Sequence, residues 1–282
     1  MEFTVLHMDE PVAHLWVSED HTILSPEALV SVQGSTKGTQ PKYLQGNYWY
    51  KQDQIGYEGI SEALVSKILS LSNVKDFVFY ERCIVNGRNG CRSKNFLQTG
   101  ESYISFQRLH EIYQGSNLTK TLQLMDTAEE RIRYVLDFVY SKTKCDCKKY
   151  LSQILALDML ILNTDRHLNN LGIVVNTISG ESRPAPIFDN GNSLLSDWGR
   201  FSNPDWEMEI LNVTGQPFSA NLEYQAAIAG IGLQLNYAEI EQILEREPRS
   251  RAARILEYQL QRYRKVIPDL GGLEKDCSCE RM

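Results

Sequence analysis

The chain has 282 residues, of which 42% are hydrophobic and 23% charged, a balance that excludes fibrous, low-complexity and intrinsically disordered architectures. Its formal net charge of −7 offers no basic footprint, so nucleic acid is not an expected partner. The start of the chain lacks the basic and apolar regions of an export signal, and no later run reaches the roughly 18 apolar residues of a membrane span, so a cytoplasmic protein without membrane attachment is expected.

Short apolar or alternating runs at residues 3–6, 12–16, 28–32 and 48–50 predict a small antiparallel sheet. Between the last two lies a glycine-bracketed polar turn, Gly34-Ser35-Thr36-Lys37-Gly38, and Lys51 follows the aromatic run Tyr48-Trp49-Tyr50. Residues 57–71 place Ile60, Leu64, Ile68 and Leu71 at helical spacing, with Glu62 in an early turn, which predicts one amphipathic helix. The run Phe77-Val78-Phe79-Tyr80 predicts a buried strand, and Asn86-Gly87-Arg88-Asn89-Gly90 a turn that opens a hairpin or an insertion.

From about residue 104 helical periodicity dominates. Residues 128–140 repeat apolar side chains at Ile132, Val135, Leu136 and Val139, and residues 151–162 are apolar almost all round, the mark of a helix in the centre of a domain. An irregular polar stretch over residues 190–221 precedes helices expected near 222–230, 236–247 and 249–265. This order predicts an α+β, two-lobe fold with a small β-rich N-lobe over residues 1–83 and a larger, mainly helical C-lobe over residues 84–282.

The buried helix runs into Asn163-Thr164-Asp165-Arg166-His167-Leu168-Asn169-Asn170, and Ile187-Phe188-Asp189-Asn190-Gly191 follows 24 residues after Asp165. Phosphoryl transfer needs metal ions on phosphate oxygens, a placed cation, and a carboxylate that orients the attacking hydroxyl. Asp165 suits the last role, while Asn170, five residues on, and Asp189 suit metal binding. A tight hairpin of residues 171–176 with 186–188 would bring the three together. Lys51, eleven residues before Glu62, completes the pattern of a phosphate-holding lysine fixed by a helix glutamate, with Glu58 one turn earlier as a rival partner. The glycine turn lacks the Walker pattern but suits a flap whose backbone amides cover phosphates.

Other chemistry-bearing residues carry less. His167 has no second ligand at metal spacing and is expected to order the loop by hydrogen bonding; Arg166 faces either substrate phosphate or a carboxylate of the helical lobe. The pairs Cys145/Cys147 and Cys277/Cys279 are spaced more tightly than structural zinc ligands, so they are expected to be chance surface thiols, and all six cysteines, Cys83 and Cys91 included, are expected to be reduced.

These motifs resemble those of the HipA-like bacterial protein serine/threonine kinases. Asn163-Thr164-Asp165-Arg166-His167-x-x-Asn170 is similar to the catalytic loop of that family, Pro186-Ile187-Phe188-Asp189 to its metal-binding strand end, and Ser61-Glu62-Ala63 to the start of its lobe-bridging helix. The short segment before Gly34 and the stretch Cys91-Arg92-Ser93-Lys94-Asn95-Phe96-Leu97 look more like the compact, stand-alone CtkA-type relatives, so no antitoxin or operator partner is indicated. The resemblance implies ATP and Mg2+ as cofactors and transfer to a protein hydroxyl. Asp165 would be the catalytic residue, and Asn170 and Asp189 would hold the metal. Gly34, Ser35, Thr36, Lys37, Gly38, Lys51 and Glu62 would hold the nucleotide, with the adenine near residues 79–82 and hence near Glu81. It also implies autophosphorylation at Ser35 or Thr36, where a dianion would repel the nucleotide phosphates. Two other readings stand beside it: a pseudokinase or nucleotide-binding regulator, against which the intact set of Lys51, Asp165, Asn170 and Asp189 argues, and a small-molecule or phosphoinositide kinase, for which no basic lipid-facing cluster is visible.

Overall fold

The computed structural model describes residues 15–17, 22–24 and 40–272. The glycine turn at residues 34–38, the pair Cys277/Cys279 and the runs expected as strands at residues 3–6 and 28–32 lie outside that range.

Six short strands, β1 (Leu15–Val17), β2 (Thr22–Leu24), β3 (Lys42–Gln45), β4 (Tyr48–Gln52), β5 (Tyr80–Val85) and β6 (Arg88–Lys94), form an antiparallel sheet in the order β2-β1-β5-β6-β4-β3. Two hairpins set its register. Gln45 pairs with Tyr48 around a turn in which Gly46 has φ +58°, and Val85 pairs with Arg88 around Asn86-Gly87, both with positive φ. Asn-Gly is the sequence that best fills such a two-residue turn. The expected hairpin is therefore present, but the sheet runs on to Lys94, so a lobe boundary at residue 83 would cut β5 in half.

The buried strand expected at residues 77–80 is displaced. Regular pairing in β5 starts at Tyr80, while Phe77 forms a parallel bridge with Ile187 and the Val78 amide donates to the Ile187 carbonyl at 2.9 Å. This stretch stitches the first sheet to the segment just before Asp189, which explains its apolar character without a strand.

Helix α1 (Glu58–Ser70) crosses the sheet. The expected one-sided pattern is overturned: ten of its residues are buried, Glu58 and Glu62 included. Its close approach depends on two glycines, since a Cβ on Gly59 would lie 2.6 Å from the Gly90 carbonyl carbon and one on Gly90 would lie 2.1 Å from the Lys51 carbonyl oxygen. The apolar side of α1 (Leu64, Val65, Ile68, Leu69) belongs to the main hydrophobic core together with the helices that follow, whereas among the described residues the sheet contributes to two small separate clusters.

The chain leaves the sheet at Lys94 and crosses through residues 95–100 to β7 (Glu101–Ser105), then to α2 (Phe106–Gln114), α3 (Leu118–Gln123), α4 (Ala128–Thr143) and α5 (Lys148–Ile161). A Thr127/Glu130 capping box starts α4. Helix α5 is buried from Tyr150 to Ile161, as its all-round apolar sequence requires, and it hands the chain directly to the Asn163 loop. The loop leads into β8 (Gly172–Asn176), which pairs with β7 and with β9 (Ser182–Pro184). The partner of β8 is therefore residues 182–184 rather than 186–188, and Pro186, Ile187 and Phe188 run on beyond the hairpin to Asp189. Four further α-helices follow among the described residues: α6 (Trp206–Ile210), α7 (Leu222–Ala229), α8 (Tyr237–Arg246) and α9 (Arg251–Tyr263).

Candidate active site

Lys51 is presented from β4, between β3 and β6. Its Nζ donates to Glu62 Oε1 at 2.5 Å and to Asp189 Oδ1 at 2.6 Å, and lies 4.9 Å from the centre of the Tyr80 ring. The second Glu62 oxygen accepts from the Asn190 backbone amide at 2.9 Å. Glu58 is not a rival for the lysine: its carboxylate accepts from the backbone amides of Gln54, Ile55 and Gly56 and thereby closes the turn ahead of α1. Lys42 stands directly across the hairpin from Lys51 and reaches Asp189 Oδ2 at 3.5 Å.

Burial opposes ionisation of Asp189, but the charges of Lys42 and Lys51 outweigh it and hold the carboxyl well below the usual carboxylate range. Burial likewise disfavours the Lys51 ammonium, and the two carboxylates overcome that and raise it well above the ordinary lysine value. Lys42 is lowered by burial, with Asp189 opposing.

Arg166 faces the helical lobe, settling the choice left open for it. It is fully buried, its Nε donates to both Asp158 oxygens at 3.2 and 3.0 Å, and its Nη1 donates to the Phe188 carbonyl at 2.7 Å and its Nη2 to Asn190 Oδ1 at 2.5 Å. Asp158, on α5, also accepts from Asn163 Nδ2 at 2.9 Å, and Asn163 Oδ1 in turn accepts the Asp165 backbone amide at 2.9 Å. One buried carboxylate thus fixes both the loop carrying Asp165 and the segment carrying Asp189. Burial pushes the Asp158 carboxyl up, against the pull of the Arg166 charge.

Asp165 accepts from Asn192 Nδ2 on Oδ2 at 3.0 Å and from Gln216 Nε2 on Oδ1 at 3.2 Å. Asn170 Nδ2 donates to the Asp165 carbonyl at 3.3 Å, which leaves Asn170 Oδ1 buried and without a hydrogen-bond partner. Asp189 has φ +60°, a left-handed conformation costly for a residue with a side chain and held here by the Arg166 and Glu62 contacts on either side. A cleft between the sheet and the loop is lined by Gln40, Lys42, Asp165, His167, Asp189 and Asn192.

With Lys51, Glu62 and Asp189 in one ion-pair cluster, Asp165 and Asp189 lining one cleft, and Asn170 bonded to the Asp165 backbone, the structure brings these sequence-derived residues together. Glu81 stands apart: its side chain pairs with Arg92 at 2.9 Å, while Arg82 faces Glu247 at 3.8 Å. Residues 80–82 lie within β5, where adenine is expected, and the chain leaves the sheet after Lys94. His167 orders the loop through its backbone amide, which donates to the Asp165 carbonyl at 2.9 Å, rather than through the ring, whose Nδ1 is buried without a partner. Cys145 and Cys147 are buried rather than at the surface, with Sγ atoms 3.7 Å apart, and the four described cysteines are free. Lys42, Asp158, Asn192 and Gln216 were not anticipated. Two had a signal: the Gly46-Asn47 turn puts Lys42 opposite Lys51, and Asp158 is a carboxylate inside the apolar run Leu155-Ala156-Leu157-Asp158-Met159-Leu160.

No protein-family sequence profile and no curated protein matches the chain. Among solved structures it is similar to the Helicobacter pylori proinflammatory kinase CtkA, with a TM-score of 0.56 and 17% identity over 81% of this chain and 90% of that one. The chain is kinase-like in fold. A chain of the Shewanella oneidensis MR-1 toxin–antitoxin complex of HipA, HipB and operator DNA also matches, with a TM-score of 0.35 and 14% identity over 86% of this chain and 60% of that one. Within the kinase-like fold the oxygen set suits a divalent cation. Magnesium takes one or two protein oxygens and the rest from phosphates and water, and Asn170 Oδ1 and the ionised Asp189 carboxylate are of that kind. Among the described residues no three His, Cys, Asp or Glu side chains could hold a metal by themselves.

Proposed function

We propose that the protein is an ATP-dependent phosphotransferase that moves the terminal phosphoryl group of a magnesium nucleotide onto a serine or threonine hydroxyl of a protein. The observation that carries this reading is the Lys51 cluster. A buried lysine is held within 2.6 Å of a helix glutamate and of a left-handed aspartate, across a cleft from a second aspartate. A merely structural ion pair needs neither the third member nor the cleft.

In this reading Asp165 accepts the hydrogen bond of the incoming hydroxyl and takes its proton as the oxygen attacks. Lys51, kept ammonium by Glu62 and Asp189, holds nucleotide phosphate, and Lys42, directly opposite it on β3, adds a second cation on the same face of the sheet. Asp189 and Asn170 would hold the metal, which would supply positive charge against the phosphate being transferred. The protein hydroxyl as acceptor rests on the resemblance of the catalytic-loop motif, Asn163 to Asn170, to that of the HipA-like protein kinases.

The test is transfer from labelled ATP to a generic protein substrate, with lipid and sugar acceptors run in parallel. Transfer to protein that Asp165→Ala and Asp189→Ala each abolish is the expected result. Transfer that either variant leaves undiminished would overturn the role assignment, and transfer to a lipid or sugar alone would overturn the acceptor.

A further inference from the structure

Asp165 receives two amide hydrogen bonds from a part of the chain in which no function has been read, and the second comes from a distant, deliberately stiffened turn. The Gln216 side chain uses Nε2 twice, donating to the Thr164 carbonyl at 3.1 Å and to Asp165 Oδ1 at 3.2 Å. The turn that presents it is hydrogen-bonded to side chains of two helices. Gln225 of α7, fully buried, donates from Nε2 to the Gln216 carbonyl at 3.2 Å and accepts the Phe218 and Ser219 amides on Oε1 at 3.3 and 3.2 Å. Arg131 of α4 donates from Nη1 to the Phe218 carbonyl at 2.8 Å. On the opposite side, Asn192 gives Nδ2 to Asp165 Oδ2 at 3.0 Å while its own carbonyl accepts the Thr164 amide at 3.0 Å.

The terminal torsion of an aspartate is broad, so the plane of a catalytic carboxylate is set by what donates to it rather than by rotamer preference. Each carboxylate oxygen offers about two acceptor sites. One donor on each oxygen fixes the plane and leaves one site per oxygen for an incoming hydroxyl. Both donors are neutral amides, so the carboxylate is oriented without being neutralised by a fixed cation.

We propose that Gln216, with Asn192, is a positioning residue that clamps Asp165 in the orientation needed to accept the proton of the acceptor hydroxyl. This rests on the phosphotransfer reading above. Gln216 acts only through Asp165, and that makes the two ideas separable. In the full chain, Gln216→Ala lowers kcat about ten- to a hundredfold, the range set by a lost hydrogen bond to a charged group, and leaves the KM for ATP unchanged. Gln216→Glu, of the same shape but with no donor and an added negative charge, falls below Gln216→Ala. In an Asp165→Ala background, under single-turnover conditions, Gln216→Ala causes no further loss.

An equal loss from Gln216→Ala in both backgrounds would show an effect independent of Asp165 and overturn the proposal. So would an unchanged or increased kcat, the latter marking Gln216 as a plug rather than a clamp, or Gln216→Glu turning over faster than Gln216→Ala. Where Asp165→Ala falls to the uncatalysed rate, the order of the two Gln216 variants decides. Asp165→Ala transferring like the unaltered protein would instead refute the phosphotransfer roles, whatever the Gln216 variants do.

Discussion

Removing the Lys51 ammonium isolates the energetic role of the ion-pair cluster from its chemical one. Lys51 and Glu62 are almost wholly buried, and Asp189 keeps about a sixth of its side-chain surface, 17%. Lys51→Met leaves two carboxylates in that environment without their shared cation. Breaking a buried pair by deleting one partner costs about 3–5 kcal/mol. Two contacts moderate the loss: Lys42 still reaches Asp189 at 3.5 Å, and the Asn190 amide still donates to Glu62 at 2.9 Å. The expected cost is therefore at the lower end, about 3 kcal/mol, or a fall of roughly 6–12 °C in the unfolding midpoint at pH 7. The sign with pH follows from both shifts. Asp189 is depressed from 3.8, so its contribution is complete above that value and is lost as pH falls below it; Lys51 is raised from 10.5, so its contribution is complete below that value and is lost as pH rises beyond it. A measurement at pH 7 sees both in full. The decisive comparison is Lys51→Met with Lys51→Met/Glu62→Gln, which removes the stranded Glu62 charge. The double variant should unfold at a higher temperature than the single one, since replacing both members of a buried pair is close to neutral, yet phosphate transfer from labelled ATP should be lost in both. A double variant less stable than the single one, or a single variant as stable as the unaltered chain, would refute the view that Lys51 compensates a buried charge.

Arg166→Met should cost about 3–5 kcal/mol in urea unfolding, because it strands the Asp158 carboxylate and removes the donors to Phe188 and Asn190; a loss under about 1 kcal/mol would show that Asp158 is compensated elsewhere. Gly90→Ala sets a Cβ against the Lys51 carbonyl at 2.1 Å and must shift β4. It should destabilise by about 1–3 kcal/mol and raise the KM for ATP, and an unaltered KM would show that the position of Lys51 tolerates the shift. Asp53 is raised from 3.8 to about 6, mainly by burial and further by Glu58 and Glu62, against the Gly59 amide that donates to it. The folded state then holds the proton more tightly than the unfolded one, so this group makes stability fall as pH rises from about 4 to about 6. Asp53→Asn should flatten that stretch of the stability profile, and an unchanged slope there would count against the shift.

The chemistry was more legible in the sequence than the path that assembles it. Asp165, Asn170 and Asp189 declared themselves by residue type and spacing, because a loop after a buried helix and a strand end leave little freedom in where those groups go. Glu62 was legible from helical period, yet the same period misjudged α1: a helix whose polar side faces a site is buried there too, so amphipathicity overstated its exposure. The run at 77–80 has the composition of a strand, but its pairing with Ile187 is set by tertiary placement, which no local pattern encodes. The Asn86-Gly87 hairpin turn likewise reads locally like a break, although the sheet continues through it to Lys94. Gln216 lies 51 residues from Asp165 in a stretch without periodicity, so only the fold of residues 190–221 over the loop brings it there.

What assembles the site is α1, although it comes from the sheet-forming part of the chain. Its Tyr57 hydroxyl donates to the Leu194 and Leu195 carbonyls at 2.6 and 2.9 Å, and the Ser61 hydroxyl donates to the Ser193 carbonyl at 3.1 Å. Glu62 accepts the Asn190 amide, so successive turns of one helix grip the segment that begins at Asp189. Leu194 and Leu195 both have positive φ, a conformation that leucine adopts only under outside constraint, and the Tyr57 hydroxyl supplies a constraint at both carbonyls. The lysines come from the sheet, and Asp165 and Asp189 from the helical part. The helix between them shares the apolar core of the latter and, through Gly59 and Gly90, the backbone of the former. Charge matching across the cleft is therefore a consequence of core packing: a displacement of α1 that separated Lys51 from Asp189 would also expose Leu64, Val65, Ile68 and Leu69, and the apolar cost of that exposure holds the ion pairs in register.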